Sequence, residues 1–465
     1  MKKMFTFMLM FVLLITACSS ESDSDNNDTT EDTNAEQTSS NDATETKEDT
    51  ESGKTEVVFW HAMGGNLEET LTTIVSDYNA SQSDYEVVAI FQGSYEEALT
   101  KFNTVAGTSD APAIMQTFEV GTKYMVESGN IQPVQKFIDA DSYDINQWEK
   151  NISNYYNVDG TQYSMPFNSS TPVLIYNKDA FTAAGLDAEN PPMTYSALKE
   201  ASQKLTIQDG SNTTQYGFSV LNYGWFFEQL VAVQGGHFVD NDNGRTASAQ
   251  EVTFNQDEGL NVFTLISDMY NDGTYYNSGT SWDDIRAAFL SGKTAMYLDS
   301  SAGVKAMVDS AEFEVGVSYL PIPDGKEREG VIIGGASLWM SSGLDEEIQQ
   351  GAWDFMKYVS SAEVQADWHL QTGYFAINPA AYDLDVVKEV WEAYPQLKVT
   401  VNQLRETKSS TATQGALISV FPEARQKVVS AMESLYQGAD PQQALDQAAS
   451  EINRALEKAN KLSGN

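Results

Sequence analysis

Apolar and polar positions along this chain switch repeatedly between a period of two and a period near 3.6. Val57-Val58-Phe59-Trp60 reads as a short strand, and Gly64-Gly65 opens a helix whose apolar positions Leu67, Leu71, Ile74, Val75 and Tyr78 recur at helical spacing. Tyr85 to Phe91 is a second strand, Glu96 to Val105 a second helix, and Ala113 to Phe118 a third strand. A β-α-β-α-β order of this kind builds a parallel sheet covered by helices, and ligands of such sheets sit beyond the carboxyl ends of the strands. The loops there are His61-Ala62-Met63-Gly64, Gly93-Ser94-Tyr95 and Glu119-Val120-Gly121.

The middle of the chain is a crossing point. Pro166 and Pro172 each remove a backbone donor and push the preceding residue out of helix, so Phe167 to Thr171 is expected to be extended or turning. Val173-Leu174-Ile175-Tyr176 is a buried strand, and Asn177 caps a short helix that Gly185 stops. Asn168-Ser169-Ser170 thus lies between two structural units, either offering amide and hydroxyl groups to a ligand or forming a solvated loop.

Further on, Tyr195 to Leu205, Trp225 to Val233, Asp257 to Tyr270 and Trp282 to Leu290 read as helices, and Tyr216 to Val220 as a strand. Lys293 to Leu298 is an apolar strand able to return to the first sheet, which makes a second crossing. Phe313 to Leu320 and Val331 to Trp339 are further strands, the latter with Gly334-Gly335 inside it, where backbone or ligand approaches closely. From Glu346 the pattern is mostly helical, ending in a helix with Leu445, Ala448, Ile452 and Leu456 on one core-facing stripe. The expectation is an α/β protein of two lobes, each a mostly parallel sheet covered by helices. It assigns 55–167 and 299–335 to lobe 1 and 168–298 and 336–465 to lobe 2, with hinges near Phe167 to Thr171, Leu298 to Ser300 and Gly334 to Ser337.

The amino terminus adds a location. Lys2-Lys3 precedes an apolar run from Phe5 to Leu14 that is too short to span a bilayer, so residues 1–17 read as a signal peptide. Ala17 directly before Cys18, the chain's only cysteine, matches a bacterial lipobox, making Cys18 the lipidation site. Residues 18–54 form an acidic tether: between Ser19 and Lys54 there are 12 acids, 2 lysines and no aromatic residue, a composition expected to stay disordered and extended. From Thr55 onward 55 acids face 23 bases, which speaks against nucleic acid as a partner.

Catalytic patterns fail one by one. Ser291-Gly292-Lys293-Thr294 lacks the first glycine of a phosphate loop, since Ala287 stands there. No nucleophile elbow occurs, and His61, His237 and His369 are isolated from other ligand-type residues. No enzyme activity, metal or cofactor is expected.

Seven stretches carry a resemblance: FWHAMGG, FQGSY, APAIMQTFEVGT, PFNSSTPVLIYNKDAF, IIGGASLW, WHLQTGYFAINPAAYDL and PQQALD, together covering most of the chain from Thr55 onward. With the anchor and the two lobes, they resemble the solute-binding lipoproteins of bacterial ATP-binding-cassette importers, in the branch that binds glycerol 3-phosphate and glycerophosphodiesters. The resemblance implies a periplasmic-binding-protein-like fold, a monomer anchored by lipid at the extracellular face of the cell membrane, a small-molecule ligand held between the lobes, and a membrane permease as partner. It also implies ligand contacts at Tyr95, Glu119, Ser170, Ser300, Gly335, Tyr374 and Arg425.

The residue types suit such a ligand. Glu119 can accept from two glycerol hydroxyls, Ser170, Ser300 and the Gly335 N–H can donate to phosphate oxygens, and Arg425 supplies a charged fork. The chain departs from the branch at Tyr195, where the pattern has a tryptophan, and at Leu417, where it has a basic residue. With Arg425 as the evident cation, Glu119 opposing it and Tyr195 as an aromatic wall, glycerophosphocholine is expected to be favoured over glycerol 3-phosphate. An oligosaccharide is the competing ligand; a hydrolase using Glu119 and a surface adhesin or sensor are competing roles.

Overall fold

A computed structural model describes residues 53 to 463, so the signal segment, Cys18 and nearly all of the tether lie outside the described residues. Lys54, at the tether's expected end, already belongs to the fold: its ammonium donates to the carbonyls of Asn79 (2.6 Å) and Gln82 (2.8 Å). Among the described residues no helix is long and apolar enough to cross a membrane.

Two sheets organise the chain. In the first, Thr55–His61 runs parallel to both Tyr85–Phe91 and Ile114–Phe118. This is the β-α-β-α-β unit expected from the pattern, with the helix Asn66–Ser81 burying Leu71, Ile74, Val75 and Tyr78. Gly334–Ser341 adds antiparallel to Ile114–Phe118 and is flanked on its other side by Met165–Ser170 and Ile131–Gln132, both antiparallel. The second sheet has the order Tyr275–Tyr276, Phe218–Ser219, Met296–Ser300, Pro172–Asn177, Val315–Ser318. Its first three strands are parallel and the remaining pairings antiparallel. The protein is α/β as expected, but the sheets are mixed rather than mostly parallel, because every strand that crosses from the other lobe enters in the opposite sense.

The crossing is tighter than the sequence suggested. Met165–Ser170 lies in the first sheet and Pro172–Asn177 in the second, and only Thr171 separates them. Thr171 is clamped by Ser301, whose Oγ accepts from its N–H (3.2 Å) and whose N–H donates to its carbonyl (2.8 Å). Asn168-Ser169-Ser170 is a buried strand and not a solvated loop. The Asn168 amide finds protein partners, Gln116 donating to Asn168 Oδ1 (2.7 Å) and Asn168 Nδ2 donating to the Tyr95 hydroxyl (2.8 Å), whereas the buried Ser169 hydroxyl has none.

The later crossing falls elsewhere than expected. Met296–Ser300 stays in the second sheet beside Pro172–Asn177, and so does Val315–Ser318, although it falls in the span expected for the first lobe. The return occurs between Ser318 and Gly334, and Gly334–Ser341 lies wholly in the first sheet, across the boundary drawn at position 336. Continuous apolar strands do not carry the identity of their neighbours, so periodicity alone could not assign them. The Gln229 amide marks this passage by pairing with both backbone groups of Ile332, each at 2.8 Å. Beyond it, Glu346–Val359 and Ala362–Thr372 pack on the first lobe, and Phe421–Leu435 and Pro441–Ser463 on the second. The Leu445, Ala448, Ile452 and Leu456 stripe is buried as expected.

Candidate ligand cleft

The first lobe presents its side chains from the carboxyl ends of parallel strands. A capping box, in which Ser94 Oγ accepts from Glu97 N–H and Glu97 Oε2 from Ser94 N–H, starts the helix after Tyr85–Phe91 and sets Tyr95 at its first position. The Tyr95 ring stacks on Phe118 (centroids 5.4 Å, planes 3° apart). Glu119 follows Phe118 directly and is 5% exposed. Burial raises the Tyr95 phenol well above its ordinary value, with Tyr374 and Glu119 adding to the rise and the Asn168 amide opposing it.

Tyr374 arrives after the helix Ala362–Thr372, which ends in left-handed Gly373 (φ 75°). A side chain at Gly373 would stand 2.7 Å from the Ala302 carbonyl, so this turn also needs a glycine to fit against the second lobe. His369 orients the turn. Trp391 Nε1–H donates to His369 Nε2 (3.1 Å), so the ring's proton sits on Nδ1, which donates to the Tyr374 carbonyl (2.6 Å). Burial lowers the His369 pKa to about 4 and keeps the ring neutral. The Tyr374 ring lies against Trp368, which stacks in turn on Phe167.

Gly335 and Ser170 occupy neighbouring strands: Ser170 pairs with Gly334 and Ser169 with Gly335. Gly335 has φ 98°, and a Cβ there would fall 1.9 Å from the Asn168 carbonyl oxygen, so close backbone approach already requires glycine. The indole of Trp225, from the second lobe, lies over Gly334 at 2.7 to 2.8 Å from where a Cβ would stand. Ser300 pairs with Pro172, two residues beyond Ser170, and its Oγ accepts from the Ala302 N–H (3.2 Å).

Arg425 joins the two lobes. It is 4% exposed on the helix Phe421–Leu435. Its Nη2 donates to Glu119 Oε1 in the first lobe (2.6 Å), while Nε and Nη2 together grip Glu228 Oε1 and Oε2 (2.6 and 2.8 Å). Nη1 is buried and has no hydrogen-bond partner. The rings of Phe421 and Tyr223 flank the guanidinium at 5.3 and 5.6 Å. Burial acts to lower its pKa, and the two carboxylates outweigh burial and hold it well above the ordinary value. Burial raises Glu228, and Arg425 only partly offsets this. Two acids therefore share one cation, and of the expected fork only the Nη1 edge is left for a ligand.

A sequence model described as bacterial extracellular solute-binding protein matches residues 73–399. The chain belongs to that family. Among curated relatives of this solute-binding protein, the sn-glycerol-3-phosphate-binding periplasmic protein UgpB of Yersinia pseudotuberculosis is 34% identical over 418 residues, 88% of this chain and 94% of the relative. The protein of the same name from Escherichia coli K12 is 34% identical over 415 residues with the same coverages. Among solved structures, UgpB from Mycobacterium tuberculosis in complex with glycerophosphocholine matches with TM-score 0.75 at 20% identity, covering 88% of this chain and 100% of that one. The cyclic alpha-maltosyl-1,6-maltose binding protein from Arthrobacter globiformis gives 0.72 at 24%, with 87% and 100% covered. These two likenesses establish the solute-binding fold.

Within this fold Tyr195 stands apart from the other expected contacts. Its hydroxyl is buried without a hydrogen-bond partner, and the residue lines a surface depression with Lys199, Leu260, Asp268 and Pro323. Two charged residues escaped the sequence reading. Glu228 is the one ionisable residue in a wholly buried helix whose only other polar side chain is Gln229, a pattern that calls for a buried cation. Arg286 forms a two-pronged pair with fully buried Asp299 (3.0 and 3.0 Å) beside Ser300, and lies 5.2 Å over the Trp282 ring. An aspartate inside an apolar strand was its signal.

Proposed function

We propose that this solute-binding protein is the extracellular receptor of an ATP-binding-cassette importer, anchored through a lipidated Cys18, and that it captures glycerol 3-phosphate or a glycerophosphodiester between its lobes, glycerophosphocholine being favoured. The observation that carries this reading is the Arg425 Nη1 edge: a buried guanidinium with unpaired donors needs an anionic or strongly accepting partner. The names of the 34%-identical relatives point to the same ligand class. Tyr95, Glu119, Ser170, Ser300, Gly335 and Tyr374 would complete the cleft, with Glu119 Oε2 and the two phenols turned to the glycerol hydroxyls.

Two features modify the expectation. Tyr195 is not joined to the Arg425 cluster, so an ammonium contact there is no longer part of the argument. The surplus carboxylate takes its place, since a site with two acids and one guanidinium disfavours a dianion more than a zwitterion. A second reading, an oligosaccharide ligand, draws on Glu228 having already taken most of the Arg425 fork, which leaves a site that neutral hydroxyls could also satisfy. A thermal-shift screen of the soluble domain against glycerophosphocholine, glycerol 3-phosphate and maltodextrins separates them, because a ligand that binds only the folded state raises the melting temperature. A rise with maltodextrins alone would defeat the phosphate reading. Loss of membrane retention in Cys18→Ala checks the anchor.

A further inference from the structure

We infer that Glu228 sets the ligand charge this cleft accepts, holding the Arg425 site one negative charge in surplus so that a phosphodiester or zwitterion is taken in preference to a dianionic phosphomonoester. The inference rests on the reading that Arg425 Nη1 faces the phosphate, and it assigns to Glu228 an electrostatic role exerted across the guanidinium, without contact with the ligand.

The geometry carries it in three steps. Glu228 engages Arg425 with both oxygens, at 2.6 and 2.8 Å, and is itself 5% exposed, so its charge is felt with little screening by water. Glu119 takes a further donor of the same guanidinium. Among the described residues no second cation pairs with either acid. Arg245, the cation beside Tyr155, spends its guanidinium on the carbonyls of Tyr155, Gln414 and Gly415, each at 2.9 Å, and Arg286 is matched by Asp299. The aromatic groups facing the cluster, Tyr155, Tyr223 and Phe421, bring no charge at neutral pH: burial raises the Tyr155 phenol and pushes Tyr223 up to about 12.

A phosphate at Nη1 would sit across the guanidinium from Glu228. Unit charges roughly 6 Å apart in a protein-like dielectric change affinity about a hundredfold per added charge, and about tenfold once a partly open cleft screens them. Glycerol 3-phosphate differs from the phosphodiester group of glycerophosphocholine by nearly one such charge. If Glu228 served only to orient Arg425, a residue of the same shape without charge would scale both ligands alike.

Calorimetry of wild type, Glu228→Gln and Glu228→Asp with both ligands in one buffer tests this. The expected result is that Glu228→Gln shifts the affinity ratio towards glycerol 3-phosphate by about tenfold, while Glu228→Asp, which keeps the charge, holds the wild-type ratio even where both ligands weaken. A Gln variant with an unchanged ratio overturns the inference alone, whereas a wild type that binds neither ligand overturns the functional reading with it. Should Glu228→Gln not fold, wild-type preference between glycerol 3-phosphate and its monoanionic methyl diester decides the matter: equal affinity refutes a charge-selective site.

Discussion

Replacing Arg425 by alanine would remove the one cation that Glu119 and Glu228 share, and its consequence divides into stability and affinity. Both carboxylates are 5% exposed, so neither is neutralised by water once the guanidinium is gone. Breaking a buried ion pair from one side costs about 3–5 kcal/mol, which for a fold of roughly 410 residues lowers the melting temperature by about 3–6 °C. The side-chain stem adds to the loss: Arg425 Cβ and Cγ pack against Gly224, within 3.1 Å of where a Cβ would stand there. Glu228, left without its cation, responds by holding a proton. Burial already raises Glu228, and without Arg425 it rises further, so the folded variant binds a proton that the unfolded chain releases above its ordinary carboxylate value. The variant's stability therefore falls as pH rises through that window, and its deficit against wild type is smaller near pH 5 than near pH 8. If the ligand is the proposed glycerol phosphate, its affinity should drop separately, by about 2–5 kcal/mol or roughly 30- to several-thousand-fold. Thermal melts at the two pH values and calorimetry at the higher one read both effects. A melting temperature equal to wild type at pH 8, or a deficit that ignores pH, would refute the buried-triad account.

Gly335→Ala should be among the most destabilising single changes in the first sheet, by about 1–3 kcal/mol or more, because φ 98° and a Cβ placed 1.9 Å from the Asn168 carbonyl cannot both be kept; wild-type melting would contradict this. Folded His369 gives up its proton down to about 4, so the stability it confers is present above 6.5 and lost as pH falls between these values. His369→Gln should flatten the acid side of the stability profile, leaving the part due to His61, whose pKa burial also lowers to about 4; an unaltered slope in melts across that range would exclude the assignment. Ligand should draw the lobes together about Thr171 and the Gln229–Ile332 passage, reducing the radius of gyration in solution scattering, and an unchanged radius at saturation rules closure out.

The β-α-β-α-β opening was legible because Val57 to Phe118 obeys both periods without interruption, and the loops it marks do carry Tyr95 and Glu119. The second half was harder to read. Met296–Ser300, Val315–Ser318 and Gly334–Ser341 are all mainly apolar and buried, and such a strand announces burial without naming the sheet that buries it. Gly335 was marked by its composition, and the reason proved to be the Asn168 carbonyl. Resemblance singled out Arg425 as a ligand contact, and the structure shows it buried and paired with Glu228, a residue hidden in a helix that reads as core packing. Pairing across 197 residues leaves no trace in local pattern, although an ionisable group inside a buried apolar helix does leave one.

The central claim is that the Arg425 edge between the lobes takes a glycerol phosphate group. Titration calorimetry of the soluble wild-type domain with glycerophosphocholine, glycerol 3-phosphate and maltotriose in one buffer tests it most directly. The account predicts saturable binding of both phosphates, the diester tighter, and none of the sugar; saturable binding of maltotriose with no heat from either phosphate would contradict it.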